Sequence, residues 1–350
     1  MGLNPTVVAS LILASLFVLP SPVHAAKYKI NWLIGHPTTD YFEEAADYFK
    51  HAIERGSKGE ISVTITPNPN PWEDSGQGTP GPEIARKVAA GEAQMGHSFT
   101  DVMGGMDHRL WAFDLPFLFR DYAHVEQVVT GPIGSELLTG LGDHGIKGLA
   151  FTFSGGANLL STHKRPVRGP QDLKGLRVAV FGDDVDGYWL KSLGAVPVSI
   201  GHREDRVLDL AMKDEIDGAV LTWRRQERAA MGERSAFGNL EGATYLLSVS
   251  YINKEFFESL PKEYQRLIED VSRETGRIER AQTIELNARH KRRLLSKGMS
   301  SVVLSEAAKR SFEEALKPAY AGKLNELVGK DLIEKIRNTR ADPRLAQSPR

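Results

Sequence analysis

The hydrophobic pattern of the first hundred residues alternates between the period of a strand and that of a helix. Apolar residues at every second position predict strands at Tyr28–Ile34 and at 61–66. Asp40 opens a segment with apolar residues at helical spacing, and Glu83 opens a second helix before a short strand at 94–98. This β-α-β-α-β order is typical of a parallel sheet with helices on its faces, in which ligands bind beyond the carboxyl ends of the strands.

The middle of the chain repeats this alternation. Its patterns predict strands over 146–153, 176–181, 196–200, 216–221 and 246–252, with helices over 187–193 and 206–213. From residue 261 the apolar spacing becomes that of one long helix over about 261–293, which is long enough to brace two domains. Ser305 then caps a further helix, and the polar end over 339–350 is expected to be disordered.

Length, charge and the absence of cysteine narrow the class of protein. A chain of 350 residues, 41% of them hydrophobic, exceeds the usual size of a single core, so we expect two domains. The formal net charge of −1 gives no excess of positive charge for nucleic acid or an anionic membrane. Without cysteine the chain cannot form disulfides, thiol nucleophiles or cysteine-ligated metal sites.

The amino terminus has the pattern of a secretion signal. An almost unbroken apolar run over 7–19 is followed by prolines and by Val23-His24-Ala25, a small-x-small cleavage pattern. The run is shorter than the ~20 residues of a membrane-spanning helix. We therefore expect cleavage after Ala25 and a periplasmic mature chain, with no later segment apolar enough to enter the bilayer.

Residues 76–81 match the G-x-G-x-x-G pattern of dinucleotide-binding turns. A long stretch separates them from the preceding strand, whereas the glycines of that fingerprint lie on the strand-to-helix turn itself. Pro80 also removes a backbone donor that phosphate would need. A loop is the favoured interpretation, and no cofactor is expected.

Two groups of polar residues raise the question of catalysis or metal binding. The first group fits no standard spacing of metal ligands and consists of His97, Asp101, Asp107 and His108. The second group offers acid–base carboxylates, which a capped turn before the next helix explains equally well, and consists of Asp183, Asp184 and Asp186. The standard motifs of hydrolases, zinc proteases and P-loop enzymes do not occur. We therefore predict no catalytic residue, no metal site and no enzyme.

Several separated blocks, taken together, resemble one family of secreted receptors. The most recognisable is F-D-L-P-F-L-F-R-D at 113–121. Shorter blocks follow in order: K-R-P-V at 164–167, D-L-K-G-L at 172–176, L-G-A-V-P-V at 193–198, I-D-G-A at 216–219 and N-K-E-F-F-E-S-L-P at 253–261. In this order they resemble the substrate-binding subunit of tripartite ATP-independent periplasmic (TRAP) transporters, over about residues 28–300.

The resemblance implies an α/β fold of the two-lobed periplasmic binding protein type, with hinge strands and a long bracing C-terminal helix. Lobe I would comprise 26–150 and about 239–260, lobe II 151–238 and the C-terminal segments, and the bridging helix about 261–293. A small-molecule ligand would lie between the lobes and favour their closure. The implied partners are that ligand and TRAP-type permease subunits in the membrane. The receptor is expected to be a monomer.

The arginines with which the family binds organic acids are missing from their usual positions. A guanidinium offers paired donors that match a carboxylate. The resemblance places the strand arginine at Ala179 and a second arginine at Asn158, and 220–222 stands where an asparagine often occurs. Burying a carboxylate without a cation would be costly. We therefore predict a neutral or cationic ligand, such as an amine, amino alcohol or polyol.

Candidate ligand contacts follow from this hypothesis and from the predicted strand ends. Carboxylates can bind a cation directly, and aromatic rings can bind one through cation–π contact. The candidates are His36, Asp40, Trp72, Glu73, Phe99, Asn158, Phe181, Asp183 and Trp223. Asn158 is the leading polar contact because it occupies a family ligand position. For the others, a surface carboxylate or a core aromatic is the alternative.

Three alternatives stay open at this stage. A substitute cation would restore an organic acid as the ligand, and it would come from His36, His202, Arg203, Arg206, Arg224 or Arg225. A receptor of this fold could also serve an ATP-driven importer or a sensor kinase. Turnover of the bound ligand would instead indicate a periplasmic enzyme.

Overall fold

The computed structural model describes residues 26–35, 40–67, 83–181, 185–200 and 204–340. Within these ranges the strands are β1 (Tyr28–Ile34), β2 (Ile61–Pro67), β3 (Met95–Phe99), β4 (Ile146–Thr162), β5 (Arg177–Val180), β6 (Val196–Ser199), β7 (Gly218–Thr222), β8 (Phe237–Asn239), β9 (Tyr245–Asn253) and β10 (Ser300–Ser301). The α-helices are α1 (Asp40–Gly56), α2 (Glu83–Ala89), α3 (Thr100–Met103), α4 (Tyr122–Thr130), α5 (Pro132–Gly140), α6 (Asp186–Ser192), α7 (Val207–Met212), α8 (Trp223–Arg228), α9 (Lys254–Ser259), α10 (Lys262–Ser296), α11 (Glu306–Ala319), α12 (Asn325–Val328) and α13 (Lys330–Asn338).

The strands form an extended mixed sheet in the order β2-β1-β3-β9-β4-β7-β5-β6. At one end β1 pairs in parallel with β2 and β3, and at the other end β5 pairs in parallel with β6 and β7. In the middle the long strands β4 and β9 run antiparallel to each other. The sheet thus has a parallel half at each end, which we call lobe I (β1–β3) and lobe II (β5–β7).

Helix α1 covers lobe I with the apolar face that its sequence spacing predicts. Phe42, Phe49 and Ile53 are buried, and the Phe49 ring meets the Trp32 ring of β1 edge-on with centroids 4.9 Å apart. Each large apolar side chain buried in this way contributes about 1.5–3 kcal/mol. This packing fixes α1 against the sheet.

The F-D-L-P-F block lies at the centre of the largest hydrophobic core. Phe113 is fully buried, with its ring 5.6 Å from that of Phe119 and 5.4 Å from that of Phe151 in β4. The Tyr320 hydroxyl donates a hydrogen bond of 2.6 Å to the Pro116 carbonyl. The block therefore holds the C-terminal helices onto the body of the protein.

Strand β4 continues further than its sequence pattern predicts. The alternation ends at about Phe153, but the strand runs on to Thr162 through a register shift between Thr152 and Gly156. Ser154 and Gly156 have positive φ angles of 42° and 69° in this stretch. A bulge of this kind bends a strand and interrupts the alternation that sequence reading relies on.

The long helix was predicted over about 261–293, and the structure confirms it as α10, Lys262–Ser296. Among the residues that the structure describes, no helix combines the length and the hydropathy needed to span a bilayer.

Candidate functional site

The carboxyl ends of the parallel strands bring together side chains from both lobes. Phe99 is the last residue of β3 in lobe I, and Phe181 directly follows β5 in lobe II. Both rings are buried. Since ligands of open α/β sheets bind at this edge, these two phenylalanines mark the candidate site.

Arg225 connects the two phenylalanines. Its guanidinium carbon lies 4.5 Å from the centroid of the Phe181 ring and 5.1 Å from that of the Phe99 ring. The side chain is half-buried and projects from the first turn of α8, where Thr222 caps the backbone N–H of Arg225. One guanidinium thus contacts an aromatic ring from each lobe, an arrangement that cation–π attraction stabilises.

Ala179 lies on the same face of β5 as Phe181. Side chains two residues apart on a strand point to the same side, and both residues belong to one apolar cluster under α7. Arg225 contacts the Phe181 ring. A cation from α8 therefore lies against an aromatic ring of the same cluster that contains Ala179.

Asn158 stands at the point where β4 passes from one lobe to the other. It lies opposite Thr222 in the β4–β7 ladder and is 7% exposed. Its Nδ2 donates to the Thr244 hydroxyl over 3.0 Å. Among the described residues no donor bonds its Oδ1, so this oxygen is left for a solute or water.

The structure places Trp223 apart from this group. Its ring is almost fully buried against Leu159, Leu294 and Met299, and its Nε1 donates to Glu241 over 2.7 Å. Of the other predicted contacts, the Asp40 backbone begins α1, but its side chain lies outside the described residues. The remaining ones also lie outside them: His36, Trp72, Glu73 and Asp183, as do Asp184, His202 and Arg203.

Three carboxylates lie close to the same edge. Asp101 stands on α3, directly after β3, and Asp186 begins α6, which follows β5. Burial, the Asp101 charge and the Asp186 charge together raise the pKa of Asp114 well above its usual range. Burial also raises the pKa of Asp186 to about 6, although the Trp189 indole donates a 3.0 Å hydrogen bond to it.

The four residues that were considered above for metal binding, and not favoured for it, have separate partners in the structure. His97 is fully buried with its Nε2 2.9 Å from the Thr152 hydroxyl, whereas Asp107 accepts hydrogen bonds from Arg109. The His108 ring stacks on Trp111 instead. Within the described ranges no cluster of histidine and acidic side chains is arranged to hold a metal ion.

Sequence reasoning did not single out Arg225 or Asp114. Arg225 was one of six possible cations, and only its contact with Phe99, 126 positions away in the chain, distinguishes it. Asp114 was included in a block whose apolar residues suggest core packing. A charged residue inside such an apolar run was the only signal for it.

The fold agrees with that of known receptors. The family model for bacterial extracellular solute-binding proteins, family 7, matches residues 34–326. A solute-binding protein from Verminephrobacter eiseniae is 32% identical over 225 residues, which is 64% of this chain and 65% of that relative, slightly less than two thirds of its length.

Two further proteins extend the similarity over most of the chain. The 2,3-diketo-L-gulonate-binding periplasmic protein YiaO of Escherichia coli is 27% identical over 287 residues, covering 79% of this chain and 81% of the relative. The crystal structure of a TRAP periplasmic solute binding protein from Polaromonas, bound to D-erythronate, superimposes with a TM-score of 0.75 at 22% identity. That match covers 90% of this chain and all of the other.

Proposed function

The chain belongs to bacterial extracellular solute-binding protein family 7, and we propose that its solute is a small organic acid whose carboxylate is bound by Arg225. Proteins of this family are periplasmic receptors of TRAP transporters, which take up solutes together with membrane permease subunits. The single observation that carries the proposal is the placement of Arg225 between Phe99 and Phe181.

Arg225 supplies what the missing family arginine would supply. A guanidinium stacked on two rings has lost much of its conformational freedom before a ligand arrives, so less entropy is lost on binding. Asn158 lies opposite the Thr222 that caps Arg225, and its free Oδ1 accepts a hydrogen bond from a solute hydroxyl. We expect a hydroxylated acid, consistent with the D-erythronate and 2,3-diketo-L-gulonate named for the relatives.

An amine, amino alcohol or polyol is the second candidate class. Ala179 removes the usual arginine, and Asp101 and Asp186 place carboxylates on the helices that follow β3 and β5. A protonated amine would find its counter-charge there. This class requires that Arg225 serve only to hold the two aromatic rings.

A matched pair of probes separates the two classes. We would measure the thermal midpoint of the mature protein with D-erythronate, with erythritol, which differs by having an alcohol in place of the carboxylate, and with ethanolamine. A ligand at ~100 times its dissociation constant adds roughly 2.7 kcal/mol, which raises the midpoint by several degrees. We expect a shift with the acid alone. A shift only with erythritol or ethanolamine would instead support the second class.

Substitution of Arg225 then tests its role. Arg225→Gln should weaken binding of the acid at least ~10-fold, because hydrogen bonds to charged groups contribute about 1.5–3 kcal/mol. Arg224→Gln is the matched control, since Arg224 stands on the same turn but its charge acts on His290 of α10. Equal affinities of the two variants would remove Arg225 from the site.

A further inference from the structure

Strand β4 is irregular close to the point where its pairing partner changes from β9 to β7. It pairs with β9 up to Ala157 and with β7 from Asn158 onward. The bulge between Thr152 and Gly156 breaks the ladder just before this exchange of partners. Backbone N–H and C=O groups of a buried bulge need partners other than the neighbouring strand.

Glu279 of α10 supplies two of those partners. Its carboxylate is fully buried and accepts hydrogen bonds from the backbone N–H groups of Phe153, over 2.6 Å, and Ser154, over 2.8 Å. The Thr283 hydroxyl donates to the same carboxylate over 2.7 Å. Burial raises the pKa of Glu279, and these hydrogen bonds act in the opposite direction.

Two further side chains of α10 bind the strand backbone, one before and one after the two residues that Glu279 contacts. Arg280 donates to the Phe151 carbonyl over 2.7 Å and makes a bidentate pair with Glu126 of α4, over 2.6 and 2.8 Å. Asn287 donates to the Gly155 carbonyl. Glu279, Arg280 and Asn287, which we call the α10 clamp, thus bind the backbone at four of the five successive positions 151–155, within and beside the bulge.

Helix and strand also approach each other closely here. A Cβ atom at Gly276 would lie only 2.9 Å from the Phe151 carbonyl oxygen, closer than such atoms normally come. Gly276 lies one helical turn before Glu279, and its lack of a side chain allows this close contact. The clamp is built from backbone contact as well as from side-chain hydrogen bonds.

We propose that the α10 clamp sets the angle between the two lobes, and that Glu279 acts through it as a positioning residue for Asn158. The bulge lies just before β4 exchanges β9 for β7 as its pairing partner, and Asn158 follows Ser154 by four positions. A strand with positive φ at Ser154 needs its surroundings to maintain that conformation. Releasing it should let the lobes adopt a wider range of orientations.

The absence of cysteine makes the test direct. Cysteines introduced at the exposed positions His51 of α1 and Lys213, which directly follows α7, would carry spin labels, one on each lobe. Double electron–electron resonance then reports the distance between the lobes without any solute. Glu279→Gln keeps the shape of the side chain but puts an amide donor opposite a backbone donor. We expect a broader and displaced distance distribution.

Two further variants make the outcome decisive. Ser272→Ala is the matched control, because Ser272 is buried on α10 and its hydroxyl bonds no group in the described part of the chain. It should leave the distribution unchanged. Thr283→Val removes only the hydroxyl that donates to Glu279. It should change the distance distribution in the same direction as Glu279→Gln, but by less. It serves as the test if Glu279→Gln does not fold.

A folded Glu279→Gln protein with the wild-type distribution would overturn the proposal. An unchanged distribution for Thr283→Val, where Glu279→Gln is unfolded, would do the same. Because no solute is used, either failure leaves the role of Arg225 untouched. Conversely, if the receptor does not bind organic acids, the Glu279→Gln variant can still show the broadened distance distribution.

Discussion

Single residues explain how separated blocks of the sequence are joined in the fold. Asp217 of the I-D-G-A block is buried and accepts hydrogen bonds from the Arg177 backbone N–H and guanidinium, while Lys164 contacts it over 2.5 Å. Burial alone would raise the pKa of Asp217, but these partners outweigh it and hold that pKa far below its usual range. The block thus joins β4, β5 and β7.

Replacing Asp217 should cost stability in a pH-dependent way. Asp217→Asn should lower the free energy of unfolding by about 2–4 kcal/mol at pH 7, because it leaves Arg177 without its buried counter-charge. A carboxylate with a depressed folded pKa stabilises above its unfolded pKa, so the difference should shrink as the pH falls below about 4. Urea denaturation of both proteins at several pH values measures it.

Asp209→Asn is the control for that experiment. Asp209 and Lys213 form an exposed pair one helical turn apart, and such pairs contribute only about 0.3–0.5 kcal/mol. A loss at Asp217 no larger than this would show that the buried cluster is not stabilising.

Asp186 should give the stability of the fold the opposite dependence on pH. Its folded pKa of about 6 exceeds the ordinary value of 3.8, so between these values the folded protein binds more protons than the unfolded chain. Stability should therefore fall as the pH rises from about 4 to about 6. Asp186→Asn keeps an acceptor for Trp189 and should flatten this part of the curve. An unchanged slope would contradict the assignment.

The residue scale also shows what the sequence could not predict. Phe99, Asn158 and Phe181 were predicted as ligand contacts because they lie at or near the ends of predicted strands or occupy a family ligand position. Arg225 could not be selected from among the six candidate cations, since its position depends on where α8 lies relative to the other lobe. A contact between lobes produces no periodic pattern in the sequence from which it could be predicted.

For helices and strands, apolar periodicity predicted where an element lies better than it predicted what that element contacts. It located α10 to within three residues at either end, through apolar positions such as Tyr264 and Ile268. Yet the buried face of α10 includes Glu279, Arg280, Thr283 and Asn287, and a hydrophobic pattern treats such residues as exposed. The hydrophobic pattern therefore could not predict the polar contacts between α10 and β4, nor the continuation of β4 beyond its bulge.

At the scale of the whole molecule, the C-terminal helices complete the core between the lobes. In α13, Ile333 and Ile336 are buried, and the Ile336 carbonyl lies 3.0 Å from the His124 Nε2 of α4. Arg120, from the F-D-L-P-F-L-F-R-D block, donates to the Thr339 carbonyl over 2.8 Å. The last described helix is thereby attached to the most recognisable block of the chain.

This attachment predicts that α13 stabilises the whole fold. Ile336→Ala should lower the free energy of unfolding by about 2–4 kcal/mol, because it opens a cavity in a core that cannot fully collapse. Lys335→Ala, which removes an exposed ion pair with Glu136, should cost less than about 1 kcal/mol. Urea denaturation, followed by far-UV circular dichroism, compares the two. Equal small losses would mean that α13 unfolds separately from the lobes, whereas a single transition shifted only by Ile336→Ala would show that it folds with them.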